Sequence, residues 1–113
     1  MIEDILVKDI TYDLFNKVCE KYKDTTSYFS KHPNQYQIQK WLRDVYGIIV
    51  EIYSTIQVNK SWQYQRMFSF KIVFSCSSKI KNYEPYEKKN YYSNYEDALE
   101  DGIVLAIQKY LLV

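Results

Sequence analysis

The chain has 113 residues, of which 47% are hydrophobic and 26% charged, a balance that places it with single globular domains and excludes a disordered chain. Fifteen basic and fourteen acidic residues leave a formal net charge of +1, so nucleic acid or an anionic membrane would have to be bound by a local patch and not by the overall field. Two glycines and two prolines exclude glycine-rich phosphate loops and long flexible linkers.

The first residues, Met1 to Lys8, mix acids with apolar side chains and do not read as a signal peptide. Ile10-Thr11 then predicts a first helix, with Thr11 as its cap and Ile10 stapled to Phe15. Leu14, Phe15, Val18 and Tyr22 continue its apolar face. Residues 23–33 are polar and end at Pro33, and read as a loop. Asn34 and Gln37 have the spacing of a capping box for a second helix. Ile38, Trp41, Leu42 and Val45 form its stripe, and Gly47 sits where a left-handed C-terminal cap belongs.

From Ile48 the period changes to two. Val50, Ile52, Ile56 and Val58 alternate with Glu51, Tyr53, Thr55 and Gln57, the pattern of a half-buried strand. Asn59-Lys60-Ser61 reads as a turn. A second run opens at Trp62, with Tyr64, Arg66, Phe68, Phe70, Ile72, Phe74 and Cys76 on one face, so the two runs form an antiparallel hairpin. Residues 77–90 read as a loop, with a short third strand expected at Lys89–Tyr92. Ser93 and Glu96 spell the capping box of a final helix, with Glu96, Asp97, Glu100 and Asp101 in its acidic opening turns. Tyr95, Leu99, Gly102, Ile103, Ala106 and Tyr110 share its broad face. Gly102 is either a neutral site or a point of close approach. The expected fold is one α+β domain spanning 1–113. It has two N-terminal helices, an antiparallel hairpin or three-stranded sheet, and a C-terminal helix packed on the sheet.

Groupings that carry chemistry are scarce. His32 is the lone histidine, in a polar loop where exposure is the ordinary outcome, and a triad would have to be built around it. No CxxC, HExxH or paired histidine suggests a metal, and the helix dipole accounts for the acids at 96–101. The expectation is no enzyme, no cofactor and no metal. Cys19 and Cys76 are too few for a disulfide framework and are expected to be reduced and at least partly buried. No apolar run is long enough to cross a membrane, so the expected setting is cytoplasmic.

The candidate nucleic-acid surface is Lys60, Arg66, Lys71, Lys79, Lys81, Lys88 and Lys89, interleaved with Trp62, Tyr64, Tyr83, Tyr86, Tyr91 and Tyr92. Basic residues alternating with aromatics make single-strand platforms. Glu84 and Glu87 interrupt the run, and a solvated charged hairpin is the simpler account. The 13 tyrosines could form a recognition surface, although a chain rich in Lys, Asn and Ile also reads as compositional bias.

Two segments, the run from Pro33 through Gln37-Ile38-Gln39-Lys40-Trp41-Leu42-Arg43-Asp44 to Ile48, and Tyr92-Ser93-Asn94-Tyr95-Glu96-Asp97-Ala98-Leu99-Glu100-Asp101-Gly102, carry a resemblance. They resemble a widespread group of small uncharacterised proteins of gut Bacteroides-type bacteria, their phages and integrated elements. In that group a P-T-Q-x-x-L-Q-K-W-L-R-E-x-x-x-I segment precedes a hairpin and a Y-x-S/T-Y-E-E-A-L-E-x-G-L segment. Here Asn34 stands in place of the capping Thr or Ser. The resemblance implies a phage or mobile-element origin and assigns no activity. The leading expectation is a non-enzymatic interaction protein, with an unknown protein partner or self-association through an open sheet edge. The alternative is nucleic-acid binding by the Lys/Tyr hairpin face.

Overall fold

The computed structural model describes residues 5–22, 32–76, 78, 80, 84–88 and 90–112. Among them it is a mixed α+β structure of three helices and a three-stranded antiparallel sheet. Helix α1 spans Asp9–Lys21 and buries Thr11, Leu14, Phe15, Val18 and Cys19, one stripe at helical spacing. The helix therefore starts earlier than the expected Thr11 cap. Lys8 occupies the cap position with no side-chain bond, and Ile10 is exposed, so there is no staple. Thr11 is consumed as the first member of the buried stripe.

Helix α2, Gln35–Trp41, has the expected reciprocal box: Asn34 Oδ1 accepts from Gln37 N at 2.8 Å, and Gln37 Oε1 accepts from Asn34 N at 2.9 Å. It runs on through a π-helical turn, Leu42–Tyr46, and stops at Gly47, whose φ of 69° is left-handed. The extra residue of a π turn rotates the stripe, which explains why Tyr46 is buried and Val45 only half-buried. His32 is not the exposed loop residue expected. It is half-buried, with Nε2 2.6 Å from the Val7 carbonyl and its ring against Tyr12.

Strands β1, Ile48–Val58, and β2, Tyr64–Phe74, pair antiparallel from Ile48 opposite Phe74 to Val58 opposite Tyr64. Strand β3 is only Tyr86–Glu87, earlier than the short strand expected at 89–92. A separate bridge joins Tyr92 to Phe68. Between them the chain leaves the ladder, and Ser69 Oγ lies 3.0 and 2.9 Å from the carbonyls of Lys88 and Asn90. Cys76 lies beyond the end of β2 and is exposed, contrary to expectation, while Cys19 is buried; neither is in a disulfide.

Helix α3, Tyr95–Ala106, is followed by a π-helical turn, Ile107–Leu111. Its cap is Asn94, not Ser93: Asn94 Oδ1 accepts from Asp97 N at 2.8 Å. Asn94 also sends Nδ2 to the Asp97 carboxylate. Gly102 is a point of close approach, since a Cβ there would fall 2.6 Å from Val50 Cγ1 and 3.2 Å from the Phe70 ring. Leu99, Ile103, Ala106 and Ile107 join Val50, Phe70, Ile72, Trp41 and Phe15 in one buried cluster.

Glu100 was expected to be a solvated acid of the opening turns, yet it is only 3% exposed. Its carboxylate accepts from Lys8 N at 3.0 Å, from the Thr11 hydroxyl, and from Gln35 Nε2 at 2.9 Å. An acid of α3 thus caps α1 across the fold, meeting the uncapped N-terminus where a helix favours negative charge.

Candidate functional site

The hairpin outgrows the body that supports it. Residues opposite each other across an antiparallel pair share a face, so Val50, Ile52, Ser54, Ile56 and Val58 lie on the face of Ile72, Phe70, Phe68, Arg66 and Tyr64. The first of these meet α3 and are buried. Beyond the Ser54–Phe68 pair, where the half-buried Phe68 ring still meets Tyr95 of α3, the cover ends: Ile56 is 56% exposed, Val58 51% and Tyr64 79%. The alternation correctly assigned the face but not where the burial stops. The last four residues of β1 carry the arm roughly 13 Å further at strand rise.

At its tip Trp62 N donates to the Asn59 carbonyl at 3.0 Å, and Asn59 N donates to the Gln63 carbonyl at 2.9 Å. Asn59 Oδ1 accepts from both Ser61 N and Gln63 N at 2.9 Å. This is a three-residue loop ending in a left-handed position, normally a glycine. Trp62 occupies it with φ of 60°, the sole non-glycine residue with positive φ among those described, and is 86% exposed. Holding a bulky side chain there costs on the order of 1–3 kcal/mol, with no packing gained in return within the chain.

The candidate residues divide into separate places. Lys60, Trp62, Tyr64 and Arg66 gather on the distal arm, where Arg66 donates to Ser54 Oγ at 2.8 Å. No acid lies between Ile52 and Phe68. Lys71 is on the opposite sheet face, 3.9 Å from Glu51. Lys88 is half-buried at the other edge of the sheet. Lys79, Lys81, Lys89 and Tyr83 lie outside the described residues. The described basic and aromatic candidates therefore do not share one surface, and among the described residues only the arm group is a local cluster.

A shallow cleft of about 180 Å³ lies between α3 and the β3 edge, lined by Phe70, Tyr86, Lys88, Tyr92, Asp101, Val104, Leu105 and Gln108. Tyr92 donates to Asp101 Oδ2 at 2.7 Å, and burial together with that carboxylate raises its phenol well above the usual tyrosine value. Tyr86 and Tyr92 stack near Phe70, so these tyrosines are consumed in packing. The cleft is below the roughly 300 Å³ at which small-molecule sites begin. Among the described residues no group of three or more His, Cys, Asp and Glu side chains could hold a metal ion, and no helix is long and apolar enough to cross a membrane.

The arm was legible only as a hairpin. The signal that could have marked it is length: two eleven-residue strands outrun a twelve-residue helix, which rises less than half as far per residue. Compared with known proteins, the chain matches no family model, no curated sequence and no solved structure.

Proposed function

We propose that this protein is a non-enzymatic interaction module that engages a protein partner through its projecting hairpin arm, an accessory protein of the phage or prophage kind that the sequence resemblance implies. In this reading the two N-terminal helices and the C-terminal helix packed on the sheet are the scaffold of a cytoplasmic protein. The observation that carries it is Trp62, which pays for a left-handed backbone and displays its indole to solvent. Ile56, Val58 and Tyr64 extend an apolar surface beneath it, and exposed apolar patches of this kind mark contact sites. Aromatic side chains are the usual anchors of such contacts.

A second reading has one observation in its favour. Lys60 and Arg66 give the arm a positive end beside two aromatic rings, a combination suited to single-stranded nucleic acid.

The test is a photo-crosslinking residue at position 62, with the same residue at exposed position 20 as control, irradiated in extract of the source cell. The interaction reading expects protein adducts at 62 that are missing at 20. Adducts to nucleic acid alone would favour the second reading, and no site-specific adduct would overturn both. Alongside it, Trp62→Gly is expected to raise unfolding free energy by about 1 kcal/mol, because glycine adopts the left-handed conformation freely. Urea unfolding measures this; a loss of stability would mean that Trp62 serves the fold.

A further inference from the structure

Given that the arm is an interaction element, we infer that its occupant is a second copy of this chain, added edge to edge along β1 from Ile52 to Val58. Strand β1 is the outer strand of the sheet, whose order is β1-β2-β3. Phe68 exchanges both of its backbone hydrogen bonds with Tyr92, so its polar groups point away from β1. Its opposite residue, Ser54, must therefore turn its own N–H and C=O outward. By alternation Val50, Ile52, Ile56 and Val58 do the same. The Val50 carbonyl is taken by Gln39 Nε2 at 2.8 Å. Among the described residues no backbone bond reaches the outward groups at 52, 54, 56 and 58.

Open edges are normally guarded by charge, proline, a bulge or a covering element. The run Ile52-Tyr53-Ser54-Thr55-Ile56-Gln57-Val58 has no charge, no proline and no glycine, and pairs with β2 without a bulge. It is rich in residues that favour strands.

The alternation fixes a register. A twofold axis at Thr55 sets Ser54 opposite Ile56 and Ile52 opposite Val58, which satisfies all four open residues. Centring the axis on Ser54 sends Val58 to Val50, whose carbonyl is occupied; centring it on Ile56 sends Ile52 into the turn at Lys60. The Thr55 register also suits the charges: Asn59-Lys60 of one copy falls beside Glu51 of the other. It lays the exposed Val58 of each copy next to the half-buried Ile52 of the second. The result is one continuous six-stranded sheet with isologous contacts.

The Thr55 pair would be of the non-hydrogen-bonded kind, with Cα atoms about 4.5 Å apart, within the range a disulfide spans. In a Cys76→Ser background, which removes the exposed thiol, Thr55→Cys is therefore expected to form a disulfide-linked dimer much faster than Gln57→Cys or the surface control Glu20→Cys. Sedimentation equilibrium of the unmodified chain is expected to give twice the chain's mass as concentration rises. Ser54→Pro removes an outward donor without touching a backbone bond of the hairpin, at the loss of the Arg66–Ser54 Oγ contact, and Ile56→Lys places a charge on the edge; each is expected to abolish the dimer while circular dichroism stays unchanged. A monomer at every concentration overturns the inference. So does a dimer indifferent to both edge variants, or Thr55→Cys linking no faster than Glu20→Cys. If site-specific adducts at position 62 to another protein persist while the chain is monomeric, this inference fails and the interaction reading stands.

Discussion

Glu100 and Trp62 are mirror cases of one residue against its surroundings. Glu100 is a charged side chain withdrawn from water and matched by donors from two other elements, Lys8 and Thr11 at the start of α1 and Gln35 on α2. Trp62 is a large apolar side chain left in water. Removing the carboxylate strands three buried or half-buried donors and uncaps α1. Glu100→Ala is accordingly expected to lower unfolding free energy by about 3 kcal/mol. Glu100→Gln keeps one acceptor oxygen and should cost less. Urea titrations of both variants check the ordering, and equal losses would mean that packing, not the acceptor set, is what Glu100 supplies.

At the level of elements, local rules hold where the flanking chain is free to obey them and slip where packing claims the residue. The Asn34–Gln37 box forms because both residues lie at the surface with no competing partner. The Ser93–Glu96 box does not, because Asn94 is an equally good cap one position later. Starting the helix after Asn94 sets Leu99, Gly102 and Ile103 against the sheet. Asn94→Ala is expected to cost about 1 kcal/mol, and Ser93→Ala to stay within about 0.5 kcal/mol. Thermal unfolding of the pair distinguishes the two cap assignments. Thr11 follows the same logic, drawn from the cap position into the buried stripe by Glu100.

The whole molecule measures 52 × 32 × 20 Å, elongated by the hairpin. Its tyrosines set its response to alkali. Tyr92 is raised by burial and then by Asp101, and Tyr95 and Tyr110 are raised by burial first, then by Glu96 and by Glu84. In the unfolded chain these phenols ionise near the ordinary value of about 10, so above it the unfolded state releases protons that the folded state retains. Stability is present in full below that pH and is lost as pH rises toward the folded values. Urea unfolding at about pH 8 and about pH 11 is expected to show the fall, and Tyr92→Phe to reduce its steepness. A pH-independent midpoint would contradict the burial of these rings.

The amino-acid order alone determined most of each helical stripe (though not Tyr22, which is exposed, nor the shift from Val45 to Tyr46), the Asn34 cap, the Gly47 stop and the hairpin with its inward face, because each depends on neighbours within a few residues. It left unread the buried Glu100, whose partners are up to 92 residues away. It also placed the third strand a few residues, and the final cap one residue, from where they lie. The division of the basic residues could not be read from their spacing either. Lys60 and Arg66 stand apart from Lys71 because the sheet's pleat and the reach of α3 separate them, and the spacing of lysines along a strand carries neither. Only the assembled body decided where cover ends along the hairpin, and so which of its alternating apolar residues became core and which became arm.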